Sequence, residues 1–184
     1  MKKKAKTVVL GVTGSIAAYK AAGLVRSMTD EEWNVQVVMT EAAGKFVGEL
    51  TFRTLSGNPV AMAMFDTPGR WNPEHIGLAD IADVFVIAPC TANVLAKAAN
   101  GIADDLLTCS FLATAAPKVI APAMNEKMWD NRATQANVAT LRKRGIEVID
   151  TESGYLACGY RGRGRLAAID AIIRVIKEKM EDSR

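Results

Sequence analysis

Short apolar runs alternate with segments of helical periodicity along this chain. Residues Thr7 to Gly11 form an apolar stretch that stops at glycine, the pattern of a strand buried on both faces of a parallel sheet. Comparable runs occur at Val35 to Met39, Val84 to Ala88, Lys118 to Ala121 and Ile146 to Ile149. Between them the spacing predicts helices. The first is capped by Ser15 and carries Ile16, Ala17, Tyr19, Leu24 and Val25 on its apolar side. Others are expected over Ala92 to Ala99 and Asp104 to Ala113, with a crossover helix over Glu126 to Arg144. A last helix, Ala168 to Met180, leads into a charged tail expected to fray. Repeated βα units imply an α/β fold: a three-layer, Rossmann-like or flavodoxin-like parallel sheet with helices on both faces.

In such sheets ligands sit beyond the carboxyl ends of the strands. The segments in that position are Gly11–Ser15, Thr40–Phe46, Pro89–Val94 and Pro122–Trp129, all expected to converge on one sheet edge. Two stretches break the βα rhythm. Gly57 to Pro73 is a long connection containing Pro59, Pro68 and Pro73. Ser153 to Arg165 contains Gly154, Gly159, Gly162 and Gly164. Long irregular segments in a compact domain are usually binding loops or lids, so residues 153–166 are expected to be a flexible substrate flap. No internal repeat or linker divides the chain, and residues 1–184 are expected to form one domain.

Composition narrows the function. The 184 residues are 49% hydrophobic and 23% charged, an ordinary globular balance. A net charge of +3 is too small to argue for nucleic acid. The useful basic residues, Arg161, Arg163 and Arg165, are local to the Gly-rich segment and suit a small anion better than a polymer. No stretch approaches the ~20 apolar residues that span a membrane. Lys2-Lys3-Lys4 followed by Val8-Val9-Leu10 superficially resembles a signal peptide, but Gly11, Thr13 and Gly14 cut the run short, so it reads as the first strand. Cys90, Cys109 and Cys158 lack metal-ligand spacing and cannot all pair with one another, which favours a reducing cytoplasm and leaves room for an active thiol.

Five segments offer chemistry. Gly11-Val-Thr-Gly-Ser-Ile-Ala17 joins the first strand to the first helix, where free N–H groups and the helix dipole attract a phosphate. It lacks the full dinucleotide glycine spacing, and Thr40 rather than an acid ends the second strand, so a mononucleotide is favoured over NAD. Pro89-Cys-Thr-Ala-Asn-Val94 presents Thr91 and Asn93 at another helix start, as a cap or as ligand contacts. His75, the only histidine, is a structural residue or the one ready base near neutrality. Asn125 either caps the crossover helix or orients a substrate carboxylate. Cys158 lies in the Arg-rich segment, whose cations would stabilise a thiolate.

Taken in order, GVTGSIA, EHIGLAD, ANGIADDLLT, APAMNEKMW and LACG resemble the flavin-containing cysteine decarboxylases, over nearly the whole chain from Val8 to about Leu166. The resemblance implies FMN as cofactor, with Gly14, Ser15 and Ile16 around its phosphate and Thr40 and Phe46 nearby. It implies further flavin contacts at Pro89, Thr91, Asn93, Thr108, Ala123 and Met124. Pro89–Val94 departs from the family's Pro-Ala-Ser-Ala-Asn-Thr motif at Cys90, Thr91 and Val94. His75 is implied as the active-site histidine, Asn125 as the carboxylate binder with Met128 beside it, and Ala157-Cys158-Gly159 as the flap over the substrate. Tyr160 stands where an acid is common, and Leu166 where methionine is.

The implied substrate is 4′-phosphopantothenoylcysteine, converted to 4′-phosphopantetheine in coenzyme A biosynthesis. In the implied reaction the thiol-bearing carbon is oxidised to a thioaldehyde β to the carboxylate, and CO2 loss leaves an enethiolate. Cys158 then donates a proton as the carbon is reduced again, so the cycle is redox-neutral. Peptide-specific members stop at the enethiol; a peptidyl-cysteine decarboxylase is therefore the alternative, and a flavin-binding regulatory protein or a prenyl-transferring flavin enzyme of the same fold are others. The family also implies homotrimers, some assembled into dodecamers. In many bacteria it is fused to the synthetase that makes its substrate; this sequence stops before such a domain, leaving open a free-standing protein or part of a fusion.

Overall fold

A computed structural model describes residues 5–64 and 74–182. In chain order the elements are β1 (Thr7–Val12), α1 (Ala18–Asp30), β2 (Asn34–Met39), α2 (Glu41–Gly44), α3 (Glu49–Ser56), α4 (Glu74–Ile81), β3 (Val84–Cys90), α5 (Ala92–Asn100) and α6 (Leu106–Ala113). Then follow β4 (Lys118–Pro122), α7 (Glu126–Trp129), α8 (Arg132–Lys143), β5 (Glu147–Val148), β6 (Glu152–Tyr155), β7 (Arg161–Arg165) and α9 (Ile169–Asp182). Strands β1 to β5 form one parallel sheet in the order β2-β1-β3-β4-β5. The expected α/β architecture is therefore present.

The continuous apolar character of β1 has a simple cause. Val8, Leu10 and Val12 enter a core shared with α1 and α9, while Val9 enters the opposite core beneath α5, α6 and α8. Successive side chains alternate between faces, and both faces are covered, so neither position tolerates a polar residue. Each fully buried aliphatic side chain contributes about 1.5–3 kcal/mol relative to exposure.

Several boundaries differ from expectation for local reasons. Helix α1 begins at Ala18, not at Ser15: Ser15 Oγ accepts the Ala17 N–H at 3.2 Å, and the Ser15 carbonyl accepts the Ala18 N–H at 2.8 Å. These bonds hold a turn ahead of the helix, and Ile16 and Tyr19 are exposed at 59% and 61% rather than packed in the core. The expected crossover helix is split in two, because Asn131 caps a new start by accepting the Ala133 N–H at 2.9 Å. Part of the 57–73 connection runs beside β2, where Ala61 exchanges hydrogen bonds with Val37 and Met39. Residues 65–73 of that connection lie outside the described residues. The Gly-rich segment is an antiparallel hairpin of β6 and β7. Among the described residues no helix is long and apolar enough to cross a membrane.

Candidate functional site

The carboxyl ends of β1, β3 and β4 and the hairpin surround a cavity of about 550 Å³. Gly14, Ser15 and Ile16 come from the turn after β1, and Thr91 from the start of α5. Ala123, Met124, Asn125 and Met128 come from the segment after β4, while Ala157 and Cys158 come from the hairpin tip. Ten residues singled out in the sequence thus share one space.

Thr13 joins two of these turns. Its buried hydroxyl donates to the Pro89 carbonyl at 2.6 Å and accepts the Thr91 N–H at 3.0 Å. Gly14 lets the same turn approach α2, since a Cβ there would stand 2.5 Å from the Ala42 Cβ. The backbone N–H groups of Gly14 and Ile16 have no acceptor among the described residues. Two open donors on a βα turn at the cavity wall are the donor set a phosphate requires. Among the described residues the lining carries two cations, Lys20 and Arg165, and no carboxylate. A flavin mononucleotide, apolar in its ring and anionic at its phosphate, fits this combination of walls and donors.

Asn125 is the N-cap of α7: its Oδ1 accepts the Lys127 N–H at 2.9 Å. That bond fixes which end of the amide faces the hairpin. The Nδ2 group donates to the Tyr160 hydroxyl at 3.0 Å and lies 3.4 Å from the Cys158 sulfur. The amide therefore offers N–H donors, and only donors, toward the tip. The hairpin is docked mainly through its backbone. Met124 N–H donates to the Gly164 carbonyl at 2.9 Å, and Arg163 N–H donates to Glu126 Oε1 at 3.0 Å. Gly164 has φ +109° and packs on the Met124 carbonyl, a position where a side chain meets both strain and a clash.

Other expected site residues lie elsewhere. Thr40 caps α2, its Oγ1 accepting the Ala43 N–H at 3.2 Å, and Phe46 is exposed just beyond that helix. Pro89 is in β3 with its carbonyl taken by Thr13, and Asn93 is exposed in the first turn of α5. Thr108 is buried in the capping box of α6 and lines a separate cavity of about 370 Å³ with Ile87, Val94 and Phe111. Gly159 is in the hairpin turn at φ +89°. His75 is half-buried in the first turn of α4 and is not part of the 550 Å³ cavity lining. Sequence reasoning missed Thr13, Tyr19, Lys20, Glu126 and Tyr160. For Tyr160 the available signal was its place directly after the Cys158-Gly159 pair.

The three thiols have different environments. Cys90 is fully buried, and desolvation pushes its thiol far above the ordinary range. Cys109 is raised too, first by burial and then by Asp105 and Asp104. Cys158 is exposed. Because the thiolate is the reactive form, iodoacetamide is expected to alkylate Cys158 first and Cys109 more slowly, with Cys90 protected until the protein unfolds. Peptide mass spectrometry over a labelling time course checks that order.

The family model described as "Flavoprotein" matches residues 1–181. The coenzyme A biosynthesis bifunctional protein CoaBC of Haemophilus influenzae is 43% identical over 178 residues, covering 97% of this chain and 44% of its own length. The probable phosphopantothenoylcysteine decarboxylase of Streptococcus mutans is 45% identical over 177 residues, covering 95% of this chain and 99% of its own. The chain thus spans under half the length of the bifunctional relatives. Among solved structures, a cysteine-to-serine mutant of PPC decarboxylase complexed with pantothenoylaminoethenethiol superposes with TM-score 0.87 at 34% identity, covering 97% of this chain and 100% of that one. The FMN-dependent cysteine decarboxylase SpaF gives TM-score 0.80 at 32% identity, covering 96% and 97%.

Proposed function

The chain belongs to the flavoprotein family, and from that premise we propose that it is an FMN-dependent carboxy-lyase converting 4′-phosphopantothenoylcysteine to 4′-phosphopantetheine in coenzyme A biosynthesis. The observation that carries the reading is the meeting of Asn125 and Cys158 at the cavity, beneath the docked hairpin. When bound, FMN supplies the reversible two-electron sink that an unactivated cysteine carboxylate lacks. Gly14, Ser15 and Ile16 would hold its phosphate, with Thr91, Ala123 and Met124 along its ring; Thr40, Phe46, Pro89, Asn93 and Thr108 lie outside this cavity and are assigned no contact within it.

The chain's own groups divide the remaining work. Asn125, with Oδ1 committed to α7, directs N–H toward the substrate carboxylate and holds it in place for CO2 loss. Met128 lies beside it in the lining. Ala157 and Gly159 flank Cys158, and the hairpin over the cavity excludes water from the reactive enethiolate. Cys158 delivers a proton to carbon, which yields a saturated thiol rather than a released enethiol. Arg165, on the hairpin side of the cavity and with no carboxylate beside it in the lining among the described residues, favours a substrate that carries a phosphate besides the carboxylate that a peptide ending in cysteine also has. FMN-loaded protein is expected to act on phosphopantothenoylcysteine at least about a hundredfold more efficiently than on a peptide ending in cysteine. CO2 release measured with both substrates tests this; a preference for the peptide makes the chain a peptidyl-cysteine decarboxylase instead.

The reading includes a cytoplasmic homotrimer in which residues 1–184 act as one flavoprotein domain. His75, outside the cavity of its own protomer, would then serve as the active-site histidine of a neighbour. The exposed apolar side chains of Ile16, Tyr19, Phe46 and Leu50 support such an assembly. Mixed trimers test it. Co-assembled His75→Asn and Asn125→Asp chains are expected to recover roughly a quarter of wild-type activity, because some sites combine one intact half from each. No recovery in verified mixed assemblies makes the site a single-protomer one.

A further inference from the structure

Asn125 has a limited supply of hydrogen bonds, and the structure shows where each goes. Oδ1 is occupied by the Lys127 N–H at 2.9 Å. The two hydrogens on Nδ2 face two acceptors at the hairpin tip, the Tyr160 hydroxyl at 3.0 Å and the Cys158 sulfur at 3.4 Å. These acceptors are unequal: a phenol oxygen accepts well and a thiol sulfur poorly. Both come from one tight turn, closed by Leu156 N–H to the Tyr160 carbonyl at 2.8 Å and Gly159 N–H to the Leu156 carbonyl at 3.0 Å.

We infer that Tyr160 is a positioning residue whose hydroxyl holds the Asn125 amide while the substrate carboxylate displaces only the Cys158 thiol. The inference rests on the proposed carboxylate-binding role of Asn125. A carboxylate is a charged acceptor, and its hydrogen bonds are about twice as strong as neutral ones. With both Nδ2 hydrogens engaged, a carboxylate that takes one must evict an acceptor, and the sulfur is the weaker. Tyr160 keeps the other hydrogen and stops the amide turning about its side-chain bonds. Seating the substrate thereby frees the thiol that has to give up a proton later. A side chain without an acceptor at position 160 would leave the amide held through Oδ1 alone and remove its side-chain tie to the tip.

Tyr160→Phe keeps the ring and removes only the oxygen. In FMN-loaded enzyme its KM for phosphopantothenoylcysteine is expected to rise about fivefold with kcat within about twofold, the scale of one hydrogen bond. Inhibition by phosphopantetheine, which has no carboxylate, should stay within about twofold. An unchanged KM, or equal weakening of substrate and product, overturns the inference: the first shows that the amide needs no holding, the second that the whole hairpin has loosened. Substrate-free holoenzyme provides a reading independent of the reaction. Iodoacetamide should alkylate Cys158 about threefold faster in the variant, since the amide leaves the thiol as well; equal rates overturn the latch. If wild-type protein releases no CO2 from phosphopantothenoylcysteine while the variant is alkylated faster, the proposed function fails and the latch is supported.

Discussion

Replacing Asn125 with aspartate is expected to lower CO2 release from phosphopantothenoylcysteine by about a thousandfold while leaving the fold and FMN content unchanged. Aspartate is isosteric and an equally good N-cap, so the Lys127 N–H that now bonds Oδ1 keeps its acceptor. What changes is the face toward the cavity. Two N–H donors become a carboxylate directed at another carboxylate. Losing a charge-assisted hydrogen bond costs about 1.5–3 kcal/mol, and like-charge juxtaposition several more. A total near 4 kcal/mol corresponds to about three powers of ten in rate. The check is single-turnover CO2 release beside an absorption spectrum of the purified variant. Near wild-type release would remove Asn125 from the carboxylate site.

Cys158→Ala is expected to change the product rather than the first half of the reaction. In the proposed reaction, oxidation and CO2 loss depend on Asn125 and the hairpin-covered cavity, both left in place, so CO2 from one turnover should stay within about threefold of wild type. The proton for carbon then has no donor, and general acids contribute about a hundredfold to ten-thousandfold. Saturated thiol should fall to about 1% of product or less, with the enethiol in its place. The electrons taken from the substrate are then not returned to it, so steady turnover requires an outside oxidant such as oxygen. Mass spectrometry separates the two products by two hydrogens. Normal phosphopantetheine from Cys158→Ala would place the proton donor elsewhere.

The sheet was legible because burial on both faces imposes unbroken apolar runs. Val84 to Ala88 and Lys118 to Ala121 could be read without knowing their neighbours, and the loops after them were placed at one edge by the parallel topology alone. Asn125 left two readings open, cap or carboxylate binder, and the structure shows the cap through Oδ1 with Nδ2 free to face the tip. Other features were hidden for physical reasons. Ile16 and Tyr19 fit an apolar helix face, but periodicity does not distinguish a core from a cavity wall or an uncovered surface. Asn131 breaks the crossover helix by a side-chain bond that competes with ordinary helix continuation. The hairpin lacked an alternating apolar pattern because it docks on Met124 and Glu126 through backbone groups and does not bury a hydrophobic face. Tyr160 was visible only as an oddity, since its meaning depends on a residue 35 positions away.

Backbone docking of the hairpin also divides the lid into an inner and an outer face that are free to change separately. Arg163 contributes its main-chain N–H to Glu126, and Arg161 lies over the exposed ring of Tyr155. Neither arginine's side chain is needed for the contacts that seat β7. Mutation can therefore recolour the outside of the lid, altering its charge or what it meets in solution, while the inward arrangement of Asn125, Cys158 and Tyr160 is inherited intact. Gly162 and Gly164 have no such latitude, because there the main chain itself is the contact surface. Evolutionary change in this lid should therefore concentrate at alternate positions of one strand.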